Sequence, residues 1–318
     1  MSYSHARVIS DFVNGKNRKG KNVFASGNVV YSYGYHFPLL VRTAQGKFIM
    51  NTDKRSVSTS KHQHITIQAA DTSFPFSAFR GLTRHYNSSL NPYWEPEGFF
   101  NSMTIIDRTK PRQDIIKYCQ AGTEPSKYIS VDYYTYKLSA PDQLEYYEVY
   151  EFRPGATLFS LADLPGKRFL ASMDQHQFYI IELPDDTAQT IEEAFRQLQP
   201  VWLQQNPQEF LRQGEWFFID ITQYVDDNPR RCWKTFKASE PLPNPDNGNE
   251  HIPTRLEFFN TLAVNQTGIL SDIPADTPVV MGIIRHPQHG MLKLEKDHIY
   301  IALRNTAVNS WSAEGNVD

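Results

Sequence analysis

Cysteine is scarce in this sequence, two in 318 residues. Cys119 and Cys232 stand far apart with no CxxC, so no disulfide framework is written into the chain, and a reduced intracellular setting is the default. Long apolar runs are missing too. The longest, Ile299–Leu303, falls far short of the roughly 20 residues that a membrane span needs. The N-terminus lacks a basic-then-apolar leader pattern, because His5 and Arg7 occupy the place of the apolar region. There is no GxxxxGK[ST] loop, no GxGxxG after a strand, no GxSxG elbow and no HExxH. These absences argue against a P-loop NTPase, a dinucleotide enzyme, an α/β-hydrolase and a zincin. No motif calls for a cofactor.

Aromatics, by contrast, are plentiful at 13%, with 17 Tyr and 20 Phe. Such a chain orders over most of its length and is long enough for two domains or one large one. Net charge is −3 but uneven. Residues 1–64 hold ten Lys/Arg against two acids, a balance of +8, and the other 254 residues carry −11. The asymmetry points either to an anionic partner for the basic part or to neutralisation across an internal interface.

The stretch Val29–Arg42, VVYSYGYHFPLLVR, alternates at a period of two. Val29, Tyr31, Tyr33, Tyr35, Phe37, Leu39 and Val41 share one side, and Val30, Ser32, Gly34 and His36 the other. The pattern predicts a half-buried strand, at an edge or bulged near Pro38, that walls a site with the tyrosines packed behind. Upstream, Asn14–Lys21 is a loop whose Lys16, Arg18, Lys19 and Lys21 make a candidate phosphate-contacting arm, though an isolated run of this kind is more often a solvated tail. Downstream, Ala44–Lys47 reads as a hairpin turn and Lys47–Asn51 as the returning strand. Arg42, Lys54, Arg55 and Lys61 extend the list of cations available to a nucleic acid. If the segment from Lys61 is extended, His62, His64 and Thr66 share one face, and with His36 they form the densest chemical cluster in the chain.

Three readings of His36, His62 and His64 stay open. Two imidazoles could serve as general base and acid in phosphoryl transfer, with Lys61 or Arg42 on the phosphate, since histidine titrates near neutrality. They could bind a metal, with Asp53 the one carboxylate nearby. Or they are ordinary polar-face residues.

Further along, Phe74–Arg84 contains a short helix-like piece broken by Pro92–Gly98, and Asp114–Cys119 fits a helix stopped by Gly122. Leu144–Arg153 alternates as a strand in which Glu145 and Glu151 face one way and Glu148 the other, which fits a solvated sheet face rather than a catalytic acid array. Thr190–Gln204 is the clearest helix, opened by a Thr190/Glu193 capping box, with Ile191, Ala194, Phe195, Leu198 and Trp202 as its buried stripe. Pro207–Leu211 reads as a shorter helix and Glu215–Ile221 as a strand. His286 and His289 fall in a Pro/Gly turn. The domain reading is a basic β-rich part over 1–130 carrying the histidines and a central sheet plus helix over 131–237. A Pro/Asn-rich loop over 238–253 and a β-meander over 254–318 complete it.

YSYGYHFP (31–38) followed by SVSTSKHQ (56–63) resembles a pairing found in uncharacterised proteins of bacteriophages and other mobile elements, where the second part reads approximately YSxTTSxHQ. RQGEWFF (212–218) and IRHPQHGMLKL (284–294) also resemble elements of such proteins. The chain departs at Arg55, where an aromatic is usual. The resemblance implies a mobile-element protein in the bacterial cytoplasm, with Tyr33, His36, Ser60, His62 and Gln63 as the positions to watch. The expected fold class is α+β, with mixed, mostly antiparallel β-sheets and a few short helices. The expected function is nucleic-acid-directed, with His36, His62, His64, Tyr33 and Ser60 as candidate catalytic residues of a metal-independent nuclease or phosphoryl-transfer enzyme. The alternative is a non-enzymatic interaction protein, such as a phage-encoded inhibitor or assembly factor acting on a protein partner. No membrane association is expected.

Overall fold

The structure is a computed structural model. It describes residues 3–53, 55–88, 91–119, 128–131, 134–137, 146–174, 177–225, 237–238, 240–243, 251–259, 270–287, 290–306, 309–312 and 315–316. The fold is α+β, with six α-helices among these residues and sheets that are mostly antiparallel. The chain divides into two compact units, Met1–Thr157 with Leu161–Asp163, and Leu158–Ser160 with Leu164–Asp318. The division falls inside the stretch that composition reads as the central sheet.

The first unit opens with a helix that the alternation pattern does not reveal, α1 (His5–Val13). Ser4 caps it by accepting from the Arg7 amide, and Val8, Ile9 and Phe12 turn inward at helical spacing. Strands β1 (Val23–Ser26), β2 (Val29–Ser32), β3 (Pro38–Arg42), β4 (Phe48–Asn51) and β5 (Thr72–Phe74) form one sheet in that order. Its last pair is parallel, linked through helix α2 (Val57–Thr66). Val23, Val30, Leu40 and Met50 of the sheet meet Val8 and Phe12 of α1 in a common core. Helices α3 (Phe79–His85) and α4 (Pro96–Ser102) follow, packed through Phe79, Phe99 and Phe100. Strands β6 (Met103–Arg108), β7 (Arg112–Cys119), β8 (Tyr128–Val131), β9 (Tyr134–Lys137) and β10 (Tyr146–Arg153) complete the unit.

Two expectations fail here. Val29–Arg42 is not one strand: the chain reverses between Ser32 and Pro38, with Tyr33 at a left-handed φ of 61°, so β2 and β3 pair with each other. Asp114–Cys119 is strand β7 rather than a helix, because it pairs along its whole length with β10. Glu145 lies outside the described residues, as do the side chains of Glu148 and Glu151.

In the second unit, β11 (Thr157–Leu161), β12 (Phe169–Asp174) and β13 (Gln177–Glu182) belong to one sheet. The Thr190/Glu193 capping box is present, yet the expected long helix is two, α5 (Ile191–Gln197) and α6 (Val201–Gln205), divided at Pro200. Proline lacks the N–H that a continuous helix needs. Leu211 belongs to β14 (Leu211–Gln213) rather than to a helix, since Gly214 at φ 58° turns it onto β15 (Trp216–Asp220). Strands β16 (Lys237–Ala238), β17 (Ile252–Phe258), β18 (Pro278–Arg285), β19 (Leu292–Lys293) and β20 (Tyr300–Arg304) add to this second sheet, antiparallel throughout. Trp216 and Phe218 enter one core cluster and Phe217 and Ile219 another, so β15 is covered on both faces. Strands β21 (Asn309–Ser312) and β22 (Gly315–Asn316) extend the β13 edge of the first sheet. Among the described residues, no helix is long and apolar enough to cross a membrane.

Candidate functional site

Helix α2 carries the second histidine segment, and it turns on a polar stripe. Ser56 caps it by accepting from the Thr59 amide at 3.2 Å. Thr59, His62, Gln63 and Thr66 then recur at helical spacing, and all four are buried. Each has a partner inside the unit. Thr59 Oγ1 lies 2.9 Å from Ser56 Oγ, and Thr66 Oγ1 donates to the His62 carbonyl at 2.7 Å. Gln63 Nε2 donates to the carbonyls of Asn51 (2.8 Å) and Asp53 (3.0 Å), fastening α2 to the end of β4. His62 Nδ1 lies 2.8 Å from Ser32 Oγ, fastening it to the end of β2. The His62 ring meets the edge of His5 at 4.4 Å and the tilted ring of Tyr33 at 5.4 Å. With 3% of the residue exposed, burial, with His5 close by, pushes the imidazole down to about 4. His62 is therefore neutral near pH 7.

The helix overturns the shared-face expectation. Residues two apart on a helix point about 200° apart, and His62 is buried while His64 is exposed. The acid–base reading of His36, His62 and His64 asks for one imidazole charged and another neutral around pH 7, and His62 cannot be the charged one. The metal reading loses its ligand pair for the same reason. His36 is exposed in the β2–β3 turn. Ser60 directs its hydroxyl to the Ser56 carbonyl at 3.2 Å. Asp53 belongs to a separate hydrogen-bonded group: Ser77 Oγ and the Tyr93 hydroxyl both donate to its carboxylate. Burial raises its pKa against those hydrogen bonds.

The expected wall holds only in part: Val29, Phe37, Leu39 and Val41 are buried, but the tyrosines are not packed behind it. Ser32 and Val30 turn inward, toward His62 and the core. Tyr31 is half-buried, and Tyr33 and Tyr35 are exposed. Phe24 and Tyr31 are directly opposed across β1 and β2, their rings stacked at 5.4 Å. Tyr35 closes edge-on over both, at 5.0 and 4.9 Å, and is itself 65% exposed. On the other side of β1, Lys19 forms a β-bridge opposite Phe24, which directs its exposed side chain to the same face. At the same end of the hairpin the Tyr33 amide donates to the Asn22 carbonyl at 2.7 Å, which brings the backbone beside exposed Lys21 close to exposed Tyr33. The result is a row of three aromatic rings with lysines along its margin. Such a row can stack unpaired bases and meet their phosphates.

The remaining cations differ in how far they are committed. Lys16 is exposed. Arg18 pairs with Asp11 at 3.3 Å and covers the Tyr3 ring. Arg42 donates to the Phe12 carbonyl and lies over the rings of Phe12 and Phe48, a structural use of its charge. Arg55 covers the Phe37 ring and remains exposed, as does Lys61 on α2. Lys54 lies outside the described residues.

Sequence reasoning missed Phe24 and Tyr31 as a pair, because their opposition depends on β1 facing β2. It also missed a cluster in the second unit, Asp220, Glu295 and His298, whose ligand atoms lie within 4.8 Å of one another. The Glu295–His298 spacing of three was the one signal available. No protein-family model, no curated protein and no solved structure matches the chain.

Proposed function

We propose that this protein binds single-stranded nucleic acid through its first unit, with Phe24, Tyr31 and Tyr35 stacking bases and Lys19 and Lys21 meeting phosphates. The observation that carries this reading is the register Lys19–Phe24–Tyr31 across adjacent extended segments. It puts a cation and two stacked rings on the outward face, with Tyr35 closing the row. The +8 balance of residues 1–64 supports an anionic ligand. The reading is one of binding, because His62 is buried against Ser32 while His36 and His64 are exposed, so the three imidazoles do not share one face. The bacterial cytoplasm implied by the YSYGYHFP and TSKHQ resemblance suits such a role.

The test is fluorescence anisotropy of the whole chain with a labelled mixed-sequence oligonucleotide, offered as single-stranded DNA, single-stranded RNA and duplex. Binding is expected to favour the single strands. Base–aromatic stacking is worth about 1–3 kcal/mol per base, so Tyr35→Ala should weaken it about tenfold or more. Absence of binding to either single strand at low salt refutes the proposal.

A further inference from the structure

In the second unit, β15 and β20 are neighbours, with Asp220 opposite Tyr300 at the end of their pairing. Asp220 Oδ1 accepts from the Thr222 amide (2.9 Å) and from Thr222 Oγ1 (2.6 Å), and Thr222 Oγ1 in turn accepts from the Ile299 amide (2.9 Å). Asp220 Oδ2 lies 2.5 Å from His298 Nδ1. The imidazole is thus oriented by a carboxylate that is itself fixed at both strand ends. In the neutral tautomer that donates from Nδ1 to Asp220, the free lone pair is the one on Nε2. Glu295 Oε1 lies 3.6 Å from that Nε2. This separation is too long for a hydrogen bond. It is close to the roughly 3.4 Å that separates two ligand atoms on a tetrahedral ion with bonds of about 2.1 Å.

We propose that His298 Nε2 and the Glu295 carboxylate bind a divalent first-row transition ion of the Zn2+ class, with water completing its coordination. Asp220 is the positioning residue. A carboxylate on the far nitrogen of a ligating histidine fixes the tautomer and ring orientation and makes the ligand more basic. One imidazole with carboxylate oxygen suits zinc and its neighbours better than calcium or magnesium, which take oxygen alone. Asp297, between the two ligands in sequence, adds a further negative charge near the imidazole. The site is partly exposed, with His298 side-chain exposure at 32% and Glu295 at 69%, so an ion enters without any opening of the fold.

The experiment uses the whole chain, stripped with a chelator and titrated with zinc chloride by calorimetry, with cobalt(II) absorption as a spectroscopic readout. One saturable equivalent is expected, with a cobalt band of nitrogen–oxygen coordination. Glu295→Gln and His298→Ala should each weaken this equivalent at least tenfold, and Asp220→Asn by about 10–100-fold. Glu295 is the most exposed member, so Glu295→Gln decides the matter should either other variant fail to fold. Absence of saturable binding, or wild-type affinity in Glu295→Gln, overturns the proposal and leaves a surface ion pair.

Discussion

Acid should weaken the first unit through His62, and the size of the effect follows from where that ring is placed. In the unfolded chain its pKa is the ordinary 6.5, and in the folded protein burial beside His5 holds it near 4. A depressed value means that the folded state resists the proton which the unfolded state accepts. The contribution is intact above pH 6.5, declines as pH falls toward 4 and is exhausted below that. Each pKa unit corresponds to about 1.4 kcal/mol, so the loss by pH 4 is about 2–3 kcal/mol. The assay is urea denaturation at several pH values between 7 and 4, comparing the parent with His62→Asn. Asparagine retains a polar atom near the Nδ1 position to meet Ser32 but does not titrate in this range. Asp53 acts in the opposite sense, because its raised pKa lets the folded state take up a proton as pH falls. The difference between parent and variant therefore isolates His62. The parent should lose more stability than His62→Asn across the window. Parallel pH profiles for the two proteins refute the reasoning.

Other outcomes can be checked independently. Ser32→Ala should cost about 1–3 kcal/mol in urea denaturation, since it leaves the buried His62 Nδ1 without its partner; a neutral result refutes the fastening role of that bond. Tyr33 holds a left-handed φ that asparagine tolerates better. Tyr33→Asn should therefore raise the melting midpoint, and a large stability loss contradicts this. Replacing Lys19 and Lys21 together by Ala should flatten the log–log salt dependence of binding by about 1.4, from roughly 0.7 per phosphate contact on single strands; an unchanged slope removes both lysines from the interface. A Cβ on Gly20 would lie 2.8 Å from the Val23 carbonyl oxygen and 2.9 Å from that of Tyr3, both backbone atoms. Gly20→Ala should thus cost about 1–3 kcal/mol by overpacking and displace Lys19 and Lys21 from the aromatic row, so wild-type stability and binding in this variant contradict the geometry.

Much of the architecture was legible along the chain. The α+β class, the return strand Phe48–Asn51, the capping box at Thr190 and the late antiparallel strands all follow from local patterns. The candidate site was less so. SVSTSKHQHIT carries almost no apolar signal, and a period-of-two reading of it set His62 and His64 on one face. The buried residues are instead Thr59, His62, Gln63 and Thr66, a helical stripe written in polar side chains. Hydrophobic periodicity cannot report such a stripe, because its burial rests on hydrogen bonds to Asn51, Asp53 and Ser32, which come from elsewhere in the chain.

By itself, the sequence determined the α+β class, the return strand Phe48–Asn51, the capping box at Thr190 and where the cations concentrate. Tertiary structure alone decided which side of Val29–Ser32 meets the core, that Lys19 stands opposite Phe24 and Phe24 opposite Tyr31, and that Asp220 meets His298. The physical reason is that spacing fixes a side chain's direction only relative to its own backbone. Strand pairing and helix packing determine whether that direction leads to water, to a buried partner or to a neighbouring charge.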